Sequence, residues 1–175
     1  MIRYFIVPGY SSSGEEHWQT YFEKSDTHFT RIEQQDWQKP VAKDWIETID
    51  KALENENLDN VVLVGHSLGS LAIAHWGILF QKKIKGAFLV APPDMENPAH
   101  NYPISGFSPV LLKKLPFESV LVYSTNDEWI TQARALQFAE AWGSKTVSIG
   151  NAGHISAVNG YGKWEAGLEL LKKSF

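Results

Sequence analysis

The residue with the clearest chemical potential is a serine placed between two glycines. Ser67 lies in the segment Gly65-His66-Ser67-Leu68-Gly69, directly after the apolar run Val61–Val64 and directly before an apolar helical pattern. A Gly-x-Ser-x-Gly segment at a strand-to-helix turn exposes the serine hydroxyl at the end of a sheet, and its glycines leave room where strand and helix meet. The bare pattern is a weak signal, because a glycine-rich turn that only packs, or that binds an anion, can have the same spacing. The flanking strand and helix patterns favour a nucleophile.

A serine hydroxyl is a poor nucleophile until a base removes its proton and a carboxylate orients that base. The best-placed carboxylate is that of Asp127, which follows the apolar run Ser119–Ser124. Functional sites form at this end of the strands in parallel sheets. The alternative role for this residue is a cap or turn aspartate before the next helix. Glu128 and Asp94 are the competing carboxylates.

The candidate base is His154. It comes after the last predicted strand and directly follows Gly153, so that a tight loop can turn the imidazole back over the sheet. The chain order serine, acid, histidine is the order expected of an enzyme with this nucleophile turn. Among the other histidines, we expect His66 and His75 to pack locally, and the remaining ones lie away from the expected position: His17, His28 and His100.

Two backbone N–H groups are expected to bind the oxyanion that forms when a serine attacks a carbonyl group. One is that of Leu68, directly after the nucleophile. The other is that of Tyr10 in the loop after the first strand, with Gly9 and Ser11 as alternatives. The serines of this loop also suit a cap for a helix that begins near Glu15, and the two roles are compatible. The candidate pocket residues are Gly9, Ser11 and two tryptophans close to the predicted site loops, Trp18 and Trp129. The alternative for both tryptophans is a place in the core, which is the more frequent role of such residues.

The elements that position these residues alternate between short apolar runs and helical patterns. This alternation is typical of an α/β fold with a mostly parallel, doubly wound sheet of about six strands flanked by helices. The predicted strands are Ile2–Val7, roughly Thr30–Gln34, Val61–Val64, Gly86–Ala91, Ser119–Ser124 and Lys145–Ile149. The predicted helices are one with Pro40 in its first turn and an apolar face from Val41 to Leu53, then Leu68–Phe80, Thr131–Trp142 and Gly162–Lys173. The stretch Pro92–Pro116 is predicted to arch over the site as a loop, with a short helix near Pro109–Lys114 and no large lid domain.

The composition narrows the possible functions. The 175 residues suit a single domain spanning 1–175, and the formal net charge is −4 without a basic stripe. We therefore expect a small-molecule substrate, and neither nucleic acid nor membrane as a partner. The chain has no cysteine and no metal-binding motif, so we expect no disulfide, no metal and no cofactor. The run Met1–Val7 is predicted to be a strand rather than a signal peptide, which favours a cytoplasmic location.

With these residues in place, the whole chain resembles the small α/β-hydrolase family of the retinoblastoma-binding-protein-nine and YdeN type. The likeness rests on these segments: Val7–Gly9, His17-Trp18, Asp36-Trp37 with Pro40 and Trp45, Gly65–Gly69, Asn126-Asp127, Gly153-His154, and Gly160 with Gly162 and Trp164. The resemblance implies an α/β-hydrolase fold without a large lid and a catalytic triad at Ser67, Asp127 and His154. It implies acyl hydrolysis of the esterase or peptidase kind and leaves the substrate open. One family member is named for binding a protein, but no segment of this chain indicates such a partner.

We therefore predict a serine hydrolase, most simply a carboxylesterase that cleaves a small ester through an acyl-enzyme intermediate. A peptidase or amidase would use the same three residues. A protein-binding module with weak activity on a hydrolase fold is another alternative, and a non-hydrolytic activity that keeps the nucleophile motif is a third.

Overall fold

The structure, a computed structural model, describes residues 1–175 and is built around a six-stranded sheet. Its elements are β1 (Arg3–Val7), α1 (Trp18–Ser25), β2 (Phe29–Arg31), α2 (Ala42–Ala52), β3 (Val61–His66), α3 (Leu68–Phe80), β4 (Gly86–Val90), β5 (Ser119–Tyr123), α4 (Gln132–Trp142), β6 (Lys145–Ser148) and α5 (Glu165–Ser174). The strand order is β2-β1-β3-β4-β5-β6, and every neighbouring pair is parallel. The chain thus first moves outward from β1 to β2 and then crosses back to β3, which makes the sheet doubly wound, as predicted.

Helices cover both faces of the sheet. On one face, α2, α3 and α4 pack over strand residues that include Leu63 and Leu89. On the other face, α1 and α5 pack over Val64 and Phe88. All residues of β3 and β4 are buried, which explains why both strands are continuous apolar runs in the sequence. No helix is both long enough and apolar enough to cross a bilayer.

The short helix predicted near Pro109–Lys114 is absent, which corrects that prediction. The backbone of Leu111 is instead bonded to tertiary partners. Its N–H donates to Nε2 of His75 at 3.2 Å, and its carbonyl accepts from Nε1 of Trp142 at 2.8 Å. Because these partners satisfy the polar groups that a helix would pair internally, the segment is held without helical bonds.

Several element ends also differ from the prediction. Pro40 lies outside α2, because Val41 is its N-cap residue and pairs with Ser105 as an isolated bridge. The last helix begins at Glu165 rather than Gly162, after Trp164 with a positive φ of 39°. Helix α1 begins at Trp18, later than the predicted start near Glu15.

Candidate active site

The turn between β3 and α3 holds Ser67 in an uncommon backbone conformation, with φ 54° and ψ −127°. The N–H of Ser67 donates to the carbonyl of Val90 at 2.9 Å, and the hydroxyl of Ser70 donates to the same oxygen at 3.0 Å. A Cβ at Gly69 would collide with the backbone carbonyl of Val7, so only glycine fits there. The turn is thus fixed by both neighbouring strands, with Ser67 at the carboxyl end of the sheet.

Three side chains from different strand ends form one hydrogen-bonded chain. Nε2 of His154 lies 2.8 Å from Oγ of Ser67, and Nδ1 of His154 lies 2.9 Å from each carboxylate oxygen of Asp127. Because a carboxylate only accepts, Nδ1 carries the ring proton and Nε2 accepts from the serine hydroxyl. The side chains of His154 and Asp127 are 10% and 1% exposed, so water competes little for these bonds.

The two competing carboxylates do not contact His154. Asp94 lies 3.4 Å from the guanidinium of Arg134 in an ion pair, and Glu128 is exposed. Asp127 is additionally oriented by the N–H of Trp129, which donates to its Oδ1 at 2.8 Å. The residues that the structure brings together are therefore those that the sequence predicted: Ser67, Asp127 and His154.

The loop that carries His154 is held by side chains that the sequence analysis did not assign to the site. Nε2–H of His66 donates to the carbonyl of His154 at 2.9 Å, and Oδ1 of Asn159 accepts the N–H of His154 at 3.1 Å. Oδ1 of Asn126 accepts the N–H of Gly153 at 2.9 Å. Burial lowers the pKa of His66 well below its usual value, which keeps the ring neutral. Asn126 belongs to one of the segments that carry the family resemblance, but no feature of the sequence indicated that its side chain bonds to the backbone of Gly153.

Three backbone N–H groups around Ser67 have no acceptor within the protein: those of Leu68, Tyr10 and the alternative donor Gly9. Leu68 is the first residue of α3, where the N–H points out of the helix. The loop with Tyr10 comes very close to the nucleophile, since a Cβ at Gly9 would lie 2.9 Å from Cβ of Ser67 and 3.4 Å from the N of Leu68. The alternative donor Ser11 is unsuited, because its N–H already donates to the carbonyl of Trp37 at 2.9 Å.

A cavity of about 190 Å³ opens over Ser67. Its lining comes from the β3–α3 turn, the loops after β1, β4 and β5, the start of α1 and the loop after β6. The lining residues are Gly9, Tyr10, Ser12, His17, His66, Ser67, Leu68, Pro93, Met95, Ile104, Trp129, His154 and Ser156. The predicted loop that arches over the site thus contributes Pro93, Met95 and Ile104.

Of the four predicted pocket residues, two line the cavity and two do not. Gly9 and Trp129 line the cavity, and the ring of Trp129 lies 5.6 Å from that of His154. Ser11 is exposed and lies outside the cavity, where its neighbour Ser12 takes the expected place. Trp18 is fully buried, and its Nε1 donates to the carbonyl of Ile155 at 2.9 Å. The pocket assignments of Ser11 and Trp18 are therefore corrected: one side chain faces solvent and the other belongs to the core.

A second cavity of about 490 Å³ lies between α2 and α3 and includes His75 and Ser108 in its lining. None of its lining residues belongs to the chain of hydrogen bonds around Ser67. No group of three or more histidine, aspartate or glutamate side chains is placed to hold a metal ion.

Comparisons with known proteins agree with this geometry. Residues 4–173 match the family model described as serine hydrolase. The crystal structure of a YdeN-like hydrolase from Pectobacterium atrosepticum is 33% identical, with 99% of this chain and 90% of that chain covered and a TM-score of 0.86. Among curated proteins, no relative matches the sequence.

Two further solved structures show the same fold at lower identity. The ydeN gene product of Bacillus subtilis is 17% identical, covers 99% of this chain and 98% of its own, and has a TM-score of 0.82. Carboxylesterase CesB of Bacillus subtilis is 15% identical, covers 98% of this chain and 82% of its own, and has a TM-score of 0.69. Since the family model spans nearly the whole sequence, the chain belongs to the serine hydrolase family and has the α/β-hydrolase fold of the YdeN-like hydrolases.

Proposed function

We propose that the protein is a carboxylesterase that hydrolyses small esters, with Ser67 as the nucleophile. The observation that carries this proposal is the unbroken chain of hydrogen bonds from Ser67 through His154 to Asp127, with donor–acceptor distances of 2.8 and 2.9 Å. In this arrangement the base already accepts from the hydroxyl that it must deprotonate, and the acid already holds the base in the required tautomer.

The reaction follows from these positions. Oγ of Ser67 attacks the ester carbonyl carbon while its proton moves to Nε2 of His154, and Asp127 stabilises the imidazolium. The carbonyl oxygen becomes an oxyanion that accepts from the N–H groups of Tyr10 and Leu68. The bond to the leaving oxygen then breaks as His154 returns the proton to it, which leaves an acyl-serine. His154 next takes a proton from water, whose oxygen attacks the acyl carbon, and the carboxylic acid departs as Ser67 regains its proton.

The size of the cavity supports a small substrate. At about 190 Å³ it is smaller than the pockets of about 300–1,000 Å³ that hold drug-sized ligands. The apolar side formed by Met95, Ile104 and Trp129 suits a short acyl group. The likeness to CesB, which is named a carboxylesterase, supports an ester rather than an amide as the scissile group.

Labelling with a fluorophosphonate probe tests the nucleophile. We expect the wild type to be labelled, and Ser67→Ala and His154→Ala not to be. Ser12→Ala is the matched control, since Ser12 lines the same cavity without a contact to His154, and it should be labelled like the wild type. Equal labelling of Ser67→Ala, or no labelling of folded wild type, would contradict the proposal.

Turnover then separates esters from amides. We expect p-nitrophenyl acetate to be cleaved with a much higher kcat/KM than aminoacyl p-nitroanilides, and the cleavage to be lost in Ser67→Ala. A preference for the anilides would assign the site to a peptidase or amidase instead.

A further inference from the structure

A fully buried glutamine beside the active site bonds to both of the strands that lead into it. Gln19 is the second residue of α1, and none of its surface is exposed. Its side-chain NH2 group donates to the carbonyl of Val7 at 3.3 Å and to the carbonyl of Val64 at 3.1 Å. Its Oε1 accepts a hydrogen bond from the hydroxyl of Ser13 at 2.6 Å. The NH2 group and the oxygen of the amide are thus both bonded within the protein.

Two of the partners of Gln19 lie at the two ends of one loop. Val7 is the last residue of β1, and Ser13 lies further along the loop that follows this strand. Between them the chain makes a tight turn, in which the carbonyl of Gly9 accepts an N–H from three residues further on. This turn contains the N–H of Tyr10, the proposed oxyanion donor, and starts at its alternative, Gly9. One side chain therefore fixes both ends of the loop that is proposed to bind the oxyanion.

The third partner of Gln19 lies on the strand that leads to the nucleophile. Val64 belongs to β3, which pairs with β1 in parallel and ends at His66, directly before Ser67. Beyond this pairing the two strands diverge, because β1 leads to α1 on one face of the sheet and β3 leads to α3 on the other. The NH2 group of Gln19 bonds to a carbonyl of each strand, and so it sets their separation where they begin to diverge.

The loop and the turn around Ser67 leave little room for movement. A Cβ on Gly9 would lie 2.9 Å from Cβ of Ser67, and a Cβ on Gly69 would collide with the carbonyl of Val7. A donor acts on an oxyanion at about 2.7–3.1 Å, and a misplacement of about 1 Å can cost about 10²-fold in rate. A side chain that fixes the position of this loop therefore bears directly on the rate.

We propose, on the basis of the esterase function above, that Gln19 is a positioning residue of the oxyanion hole. It holds the loop of Tyr10 at the distance from Ser67 at which the N–H groups of Tyr10 and Leu68 reach one carbonyl oxygen. Gln19 does not touch the substrate, because its side chain is buried and its amide is fully bonded within the protein. It therefore acts on the rate of the reaction and not on the binding of the ester.

Replacing Gln19 with methionine removes all three bonds and keeps a side chain of similar length. Loss of one oxyanion donor costs about 10²- to 10³-fold in kcat, and a displaced donor should cost part of this. We expect kcat for p-nitrophenyl acetate to fall about 10- to 100-fold in Gln19→Met. Its KM should stay within about twofold of the wild type, because acylation and deacylation both pass through an oxyanion and slow together.

Gln34→Met is the matched control, because it makes the same change at another buried glutamine. The amide of Gln34 donates to the carbonyl of Trp45 at 3.5 Å and has no bond to the oxyanion loop. Both variants lose a buried amide, so thermal stability should fall in both. In Gln34→Met we expect kcat and KM to stay within about threefold of the wild type.

The inhibition constant of a boronic acid separates positioning from a loss of folded enzyme. Oγ of Ser67 adds to the boron of 1-butaneboronic acid while its proton passes to His154, and the product is a tetrahedral anion that mimics the transition state. The inhibition constant does not depend on the amount of active enzyme, so a variant that is only partly folded keeps the wild-type value. We expect it to rise in Gln19→Met by about the factor by which kcat falls, and to be unchanged in Gln34→Met.

A second substitution keeps the test valid if Gln19→Met does not fold. Ser13→Ala removes only the bond from its hydroxyl to Oε1 of Gln19. It should lower kcat and raise the inhibition constant about three- to tenfold. If Gln19→Met folds, adding Ser13→Ala to it should have no further effect, because the bond between the two residues is already absent.

The outcomes are distinct. The inference is overturned if kcat and the inhibition constant of folded Gln19→Met stay within threefold of the wild type, if Gln34→Met changes them equally, or if Ser13→Ala changes neither. Labelling of Ser67 and turnover of p-nitrophenyl acetate are measured on the same wild-type preparation. If both are present while the variants do not respond, only this inference fails; if both are absent, the esterase function fails and the inference falls with it.

Discussion

Replacing Asp127 with asparagine tests how the acid acts, because the structure dictates which way the new amide must face. Oδ1 of Asp127 accepts the N–H of Trp129 at 2.8 Å. An asparagine side chain has only one carbonyl oxygen, and its NH2 group cannot accept a hydrogen bond. The carbonyl oxygen must therefore face the N–H of Trp129. The NH2 group then takes the place of Oδ2, which lies 2.9 Å from Nδ1 of His154, and donates to it. His154 is thereby held with its proton on Nε2, where it can no longer accept from Ser67.

The size of the effect follows from this tautomer. The equivalent substitution in serine proteases lowers kcat about 10⁴-fold for the same reason. This factor corresponds to about 5.5 kcal/mol of transition-state stabilisation at about 1.4 kcal/mol for each tenfold change. The Asp127 side chain is 1% exposed, so water cannot replace the lost acceptor. We therefore expect Asp127→Asn to lower kcat/KM for p-nitrophenyl acetate by about 10³- to 10⁴-fold.

The matched control is Asp94→Asn, which makes the same chemical change at the other candidate acid. Its ion pair with Arg134 at 3.4 Å lies outside the hydrogen-bonded chain, so kcat/KM should stay within about threefold of the wild type. Thermal unfolding of both variants shows whether the fold is intact. A folded Asp127→Asn that keeps more than a tenth of wild-type kcat/KM would refute the reasoning. Loss of activity in Asp94→Asn alone would transfer the acid role to Asp94.

Three further predictions concern the backbone around the site and its surroundings. Gly9→Ala should lower kcat for p-nitrophenyl acetate at least tenfold, because its Cβ would lie 2.9 Å from Cβ of Ser67; a rate within twofold of wild type would contradict the close approach. Asn126→Ala should lower the free energy of unfolding in urea by about 1 kcal/mol, because the N–H of Gly153 loses its acceptor at 2.9 Å; an unchanged midpoint would show that this bond contributes nothing. Burial lowers the pKa of His75 to about 4 from the usual 6.5, so between these values the unfolded chain binds a proton that the folded chain does not, and stability falls as the pH falls. His75→Gln, whose amide oxygen can accept the N–H of Leu111, should reduce this slope by up to about 1.4 kcal/mol per pH unit, and parallel curves would contradict the assignment.

The meeting of Ser67, Asp127 and His154 was predictable because it depends on topology. Each of the three follows a strand of the sheet, and the carboxyl ends of parallel strands lie at one edge of a sheet. The positions along the chain therefore bring the residues together without any knowledge of side-chain packing. The proposed oxyanion donors Leu68 and Tyr10 could be predicted for the same reason, since they belong to the turns after β3 and β1.

The walls of the cavity were not predictable in this way, and the pair His17-Trp18 shows why. Both residues lie at the start of α1. The sequence predicted Trp18 to be a pocket residue and placed His17 away from the position expected of the base, and it made no prediction of where the His17 side chain lies. Trp18 packs edge-on against Phe22 and Trp164 in the core, while His17 lines the cavity. His17 is the N-cap with an extended backbone (φ −85°, ψ 143°), whereas Trp18 is the first helical residue, so their side chains leave the chain in different directions. Composition contains no information on this change of backbone conformation.

This difference between topology and side-chain direction also decides what can be inferred about the substrate. The proposed catalytic groups are satisfied by one another, since His154 bonds to Ser67 and Asp127, so their geometry supports a reaction type and says little about the molecule that reacts. The size of that molecule is limited instead by the cavity of about 190 Å³ over Ser67 and by its apolar side at Met95, Ile104 and Trp129.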